Sequence, residues 1–338
     1  MNSLLFFLIP FISNILSSQI RYENIKDSNN NYLIPLCIGT PPQCFTFKLS
    51  TSLNEIIVLN GKVYDNGYLP RMDSKTYFDL YSLQKEYNSQ NFQGFYFSDS
   101  IFISNKSIRI NYFRMIMINS VLNFTNYSGI IGIGNDYTQN GNQTNLLAML
   151  FKEEPTINPV YTIGKGNFII GDDLSNKKLY RYCYLNTDKE RWGLTACNIN
   201  SVMYHSKKIN HVEEYRKTKV RFDIDFNEIY CPSDFFEFLI KEVFRQLLLD
   251  EWCAVNKENY ALRTIVCYKD AIEYFDNEVI YFFIGNWSMK LRVKELFIKG
   301  KFQIFHGNWN QDWLFGNIVM NSNSITIDKG NNILYFNA

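Results

Sequence analysis

The chain has 338 residues, 46% hydrophobic and 17% aromatic, with 28 Phe and 23 Tyr; that is enough apolar material for a large core and excludes a disordered chain. Its 34 basic and 33 acidic side chains leave a formal charge of +1, so electrostatics gives no argument for nucleic acid or an anionic membrane surface as a partner. Aromatic enrichment and many short apolar runs bounded by Asn, Gly, Ser and Asp favour strands.

The first apolar run, Leu4 to Ile12, is too short to span a bilayer but suits the hydrophobic region of a signal peptide, with Ser17 and Ser18 before Gln19 as a cleavage site. Residues 1–18 are therefore expected to be a leader that sends the chain into the secretory pathway, to the extracellular space or a lysosome- or vacuole-like compartment. No later run reaches the roughly 18 apolar residues of a membrane helix, so no membrane span is expected. Next, Gly39-Thr40-Pro41-Pro42 is a turn signal between two apolar runs, Leu36-Cys37-Ile38 and Phe45-Thr46-Phe47-Lys48-Leu49, which predicts a hairpin running into Ser50-Thr51-Ser52-Leu53. Further strand-like segments are Gly94 to Ile103, Gly129-Ile130-Ile131-Gly132-Ile133-Gly134 and Gly166-Asn167-Phe168-Ile169-Ile170-Gly171. Val220 to Asn227, followed by Pro232, opens the second half of the chain. From Ser233 to Asp250 the residues Phe235, Phe236, Leu239, Ile240, Val243, Phe244 and Leu247 recur at helical spacing, which predicts a core-facing helix. Trp313-Leu314-Phe315-Gly316-Asn317 and the run from Ile327 to Ala338 end the chain.

In this order and spacing the segments resemble the pepsin-like aspartic proteases. In that family an Ile-Gly-Thr-Pro-Pro-Gln hairpin leads into Asp-Thr-Gly-Ser, where this chain reads Ser50-Thr51-Ser52-Leu53. Ser74-Lys75-Thr76-Tyr77 is similar to the family's Ser-Ser-Thr-Phe/Tyr segment, and Gly94 to Ile103 to the strands behind its flap. The Gly129 segment resembles the piece crossing behind the first active-site loop, and the Gly166 segment the strand that closes the first lobe. Asp223-Ile224-Asp225 aligns with the second Asp-Thr-Gly, and Trp313 to Asn317 with Trp-Ile-Leu-Gly-Asp. The likeness covers nearly everything after residue 30. It implies an all-β, bilobal fold with a few short helices, one lobe at 19–185 and the other at 186–338, related by an approximate two-fold axis with Ser50 facing Asp223. Family proteases carry a basic prosegment, whereas only about a dozen residues separate Gln19 from the Asn31-Tyr32-Leu33 entry, as expected where no activity needs restraint.

Seven cysteines on a secretory route imply disulfides with one thiol left over. Cys37 and Cys44 flank the first hairpin and could face each other across it, and Cys183 with Cys197 is a third candidate pair. Cys253 and Cys267 occupy the position of a second-lobe bridge of the family, which leaves Cys231 single. None of these has zinc-ligand spacing with His205, His211 or His306, and no metal or cofactor is expected. Asn105, Asn123, Asn126, Asn142 and Asn286 begin glycosylation sequons.

Peptide hydrolysis by this family needs two carboxylates about 3 Å apart sharing one proton. Asp223 is retained, but Ser50 stands at the first aspartate and cannot act as acid or base. Read as one strand, Asp223 and Asp225 would be separated by about 6.6 Å, too far for Asp225 to replace the missing acid. Ser52 and Asp225 replace glycines and should widen or tilt the site. Thr51 keeps the family's threonine, while its mate is Ile224; Leu53 and Asn227 replace the supporting serine and its counterpart; Tyr87 falls where the flap tyrosine would be. The expectation is a monomeric, catalytically inactive homologue that binds an extended peptide or protein segment in an interlobe cleft. The alternatives are an aspartic endopeptidase using Asp223 with an atypical partner at acid pH, and a secreted structural glycoprotein.

Overall fold

The computed structural model describes residues 19–23, 25–62, 65, 67–69, 78–87, 90–103, 107–119, 127–134, 145–175, 181–185, 195–216, 218–259, 262–307 and 311–337. The expected leader at 1–18, Ser74 to Tyr77 and the sequons at Asn105, Asn123, Asn126 and Asn142 lie outside the described residues, as does the side chain of Tyr87. Among the described residues the chain is mostly β-structure with a few short helices, in agreement with the all-β expectation.

Among the described residues the strands form three sheets. A seven-stranded sheet takes all its strands from Leu33 to Gly132, and a twelve-stranded sheet takes all of its own from Thr195 to Phe315. The third, six-stranded, draws on both halves in the spatial order Ile20–Tyr22, Asn167–Ile170, Val160–Gly164, Ser324–Asp328, Ile333–Asn337, Tyr182–Tyr184. One pattern of pairing occurs twice. Gln43–Ser50 runs parallel to Gly129–Gly132, which is antiparallel to Ile56–Leu59, which is parallel to Ile108–Ile118. Likewise, Lys219–Phe222 runs parallel to Trp313–Phe315, which is antiparallel to Ile229–Cys231, which is parallel to Ile304–Gly307.

Burial explains why these short runs become strands. Ile56–Leu59 and Gly129–Gly132 are buried at every position, as expected of strands covered on both faces. Along Gln43–Ser50 the exposure alternates in the outer half and vanishes from Phe47 to Ser50, so this strand carries Ser50 inward. Two glycines then let the chain close. A Cβ at Gly132 would sit 2.6 Å from the backbone of Asn54, and one at Gly316 would sit 2.4 Å from the Glu228 carbonyl oxygen. At corresponding places in the two patterns the backbone behind the loop approaches too closely for any side chain.

The predicted helix forms in pieces: an α-turn segment Ser233–Phe238, a π-helical turn Leu239–Val243 and a second α segment Arg245–Leu249. The Phe244 N–H bonds to the Leu239 carbonyl at 2.8 Å, an i to i−5 contact. The widened turn seats Phe244, fully buried, among Phe275, Phe302 and Phe297, with ring centroids 4.9, 5.3 and 6.2 Å away. Packing of one large ring outweighs the regular ladder here.

Three disulfides join Cys37 to Cys44, Cys183 to Cys197 and Cys253 to Cys267, the three expected pairs. Cys37 and Cys44, and Cys253 and Cys267, are register partners in their hairpins. Closing the 14-residue separation from Cys253 is worth about 3 kcal/mol in the chain-entropy account. Cys231 is free and buried, and burial pushes its thiol well up from the ordinary range. His306 Nδ1–H donates to the Cys231 carbonyl (3.3 Å), so this histidine is engaged with backbone.

Candidate functional site

The Gln43–Ser50 strand delivers Ser50 to a bend at Thr51 and Ser52, while Lys219–Phe222 delivers Asp223 to a turn at Ile224 and Asp225. These segments meet. The Thr51 hydroxyl donates to Asp223 Oδ1 (2.9 Å) and the Ser52 hydroxyl to Asp223 Oδ2 (2.6 Å). The Asp225 N–H supplies a third bond to Asp223 Oδ1 (2.9 Å). Asp225 is gripped in turn: Ser50 Oγ donates to its Oδ2 (2.7 Å), the Ser52 N–H reaches the same atom (3.2 Å), and Lys48 Nζ lies 3.1 Å from its Oδ1.

The site is closed. Ser50 is 0% and Asp223 1% exposed, and the side chains of Lys48 and Asp225 are 9% and 0% exposed. Burial, with the Asp225 charge second, pushes the Asp223 carboxyl up to about 7, against the pull of its three donors. For Lys48, burial works downward, but Asp225 above all, then Tyr127 and Asp223, outweigh it and leave the ammonium above its usual range. Tyr127, beside Lys48, is raised mainly by its own burial.

Several expectations need correction. Asp223 and Asp225 do not lie on one strand, because Lys219–Phe222 ends before them and the turn folds the Asp225 N–H back onto the Asp223 carboxylate. The strand spacing used to separate them does not apply. The side chains at Ser52 and Asp225 do not hold the segments apart; they are the groups that bond them together. Thr51 keeps a partner across the junction, since the Ile224 N–H donates to its hydroxyl (3.1 Å) although the isoleucine side chain cannot. Ser50 is bonded to Asp225 and Ser52 to Asp223, so the serine standing for the missing acid serves the other carboxylate.

The remaining residues fall outside this network. Leu53 packs with Ile57, Leu59, Ile116, Ile118 and Ile130, while its N–H donates to Ser50 Oγ (3.2 Å). Asn227 is exposed and its N–H donates to Glu228 Oε2 (3.2 Å). Tyr87 ends the Phe78–Tyr87 strand, where its backbone pairs with Gln90 at the hairpin tip. Asn286 is exposed in the turn before Trp287, and its Oδ1 accepts from the Tyr182 N–H (3.1 Å). A groove of about 470 Å³ lined by Ile240, Lys241, Glu242, Arg245, Leu248 and Leu249 takes no residue from the Asp223 network.

Sequence reading missed two participants. Lys48 lies two residues before Ser50, and the period-two alternation of a strand puts both on one face, so its inward direction was available. Asn317 Nδ2 donates to the Ile224 carbonyl (2.8 Å) and the Asn30 carbonyl (3.1 Å), pinning the Asp223 turn from beneath. Among known proteins, neither the family models nor the curated sequences contain a match to this chain.

Proposed function

We propose that the chain is a secretory-pathway homologue of the pepsin-like aspartic proteases, built of two lobes at 19–185 and 186–338, that has no peptidase activity and acts as a monomeric binding protein. Its ligand is an extended peptide or protein segment laid between the lobes, where strand edges supply main-chain hydrogen bonds. The ordered motifs and the twice-used strand pattern support the kinship. Three disulfides fit an oxidising compartment.

One observation carries the absence of catalysis: Lys48 and Ser50 occupy Asp225, while Thr51 and Ser52 occupy Asp223. Aspartic catalysis needs an ionised carboxylate that activates water and a protonated one that polarises the substrate carbonyl. Here the ionised member is neutralised by a buried ammonium and the other is committed to fixed neutral donors.

The rival reading is an acid endopeptidase using Asp223 and Asp225, and it draws on the rise of Asp223 to about 7 beside a second carboxylate. A single experiment separates the two. Purified protein is incubated with a mixed peptide library from about pH 3 to 6, with and without a pepstatin-type inhibitor, alongside Asp223→Asn. No turnover is expected. Cleavage that the inhibitor blocks and Asp223→Asn abolishes would establish the rival. Retention of library peptides by the uncleaving protein at equilibrium tests the binding role, and a protein that retains none loses that part of the reading.

A further inference from the structure

The junction holds two acids and one ammonium among its described residues. Lys48 is committed to Asp225, whereas Asp223 receives neutral donors from Thr51, Ser52 and the Asp225 N–H. The charged and titratable groups facing it are Asp225 on its own turn and Lys48 on the opposing strand, with Tyr127 next to Lys48 and Asp27 acting on Tyr127. An ionised Asp223 is thus a second buried negative charge whose neighbouring cation is already taken. A protonated Asp223 keeps all three contacts. Its carbonyl oxygen accepts from Thr51 and the Asp225 N–H, and its hydroxyl meets a serine hydroxyl that can accept as well as donate.

We propose that this junction is an acid-tightened fastener, holding residues 48–53 against residues 223–225 while Asp223 carries a proton and loosening when that proton passes to solvent. The direction follows from linkage. Asp223 sits at about 7 when folded against 3.8 as a free side chain, so its contribution is complete below about pH 4 and is lost as pH rises through about 7. A protein moving from an acidic compartment to a neutral one would relax at this joint while its disulfide-closed hairpins stay fixed. The inference rests on the same closed junction as the non-catalytic reading but concerns cohesion and not turnover. Proteolysis by the unmodified protein would therefore defeat that reading and leave this one standing.

Hydrogen exchange of the full disulfide-bonded protein, corrected for the intrinsic effect of pH, tests it. Between pH 5.5 and 8.0 the amides of Ser52, Leu53, Ile224 and Asp225 should lose about tenfold or more in protection, while the Cys253–Cys267 hairpin is unchanged. In Asp223→Asn, whose amide can accept from Thr51 and donate to Ser52, the loss should disappear. Equal protection at both pH values, a loss shared by the hairpin, or a loss retained in Asp223→Asn would overturn the proposal. If that variant does not fold, carbon-13 titration of aspartate carboxyls in the unmodified protein decides. A buried carboxyl titrating near neutrality supports the fastener, and ordinary acidic titration of every aspartate refutes it.

Discussion

The two copies of the repeated strand pattern agree in backbone and differ in chemistry. The first presents Lys48, Ser50, Thr51 and Ser52, an ammonium and three hydroxyls. The second presents Asp223 and Asp225, two carboxyls. A symmetric pair of acids would face a common ligand with the same appetite, whereas a donor set opposite an acceptor set satisfies itself. Side-chain complementarity between the copies is what closes the site, and it does so with no change in the pairing of the strands that carry it.

The comparison can be broken most severely at the ion pair. Lys48→Met should cost about 3–5 kcal/mol in urea unfolding at pH 7, because it strands a buried carboxylate, and adding Asp225→Asn should recover much of the loss. A penalty below about 1 kcal/mol would mean that Asp225 does not depend on Lys48. The shared backbone predicts matched effects at its glycines. Gly132→Ala and Gly316→Ala should each destabilise by about 1–3 kcal/mol through forced contact with backbone; strongly unequal thermal midpoints would show that the two copies are not equally tight. Removing one hydroxyl is milder. Thr51→Val, which deletes the bond to Asp223 and the acceptor for the Ile224 N–H, should cost about 1.5 kcal/mol. Smallest is Ser52→Ala, expected at about 1 kcal/mol or less at pH 5 in the same unfolding assay. A cost there larger than that of Thr51→Val would reverse the ranking of the two donors.

Local signals made much of the fold legible. The Gly39 to Pro42 turn, the alternation from Phe45 to Leu49 and the flanking cysteines specify a hairpin whose register the Cys37–Cys44 bridge fixes. The broken helix was less legible, since apolar residues spaced three and four apart fit an α-helix and an α-helix with one wide turn equally well. Only the distant ring of Phe275 and its neighbours selects the latter. At the site, the identities of Ser50 and Asp223 were readable but their pairing was not. Ser50 and Asp225 are 175 residues apart in sequence, and which carboxylate each hydroxyl meets depends on a turn geometry that strand periodicity does not describe.

The six-stranded sheet also fixes an order of events during synthesis. Val160–Gly164 finds one neighbour in Asn167–Ile170 almost at once, but its other edge is filled by Ser324–Asp328. At roughly 5–20 residues per second the ribosome needs on the order of 10–30 s to reach that strand. Until then the edge of Val160–Gly164 that Ser324–Asp328 covers in the fold lacks that partner, and an uncovered strand edge is a template for pairing with a neighbouring copy. Completion of this sheet therefore waits for Ser324–Asp328 and Ile333–Asn337.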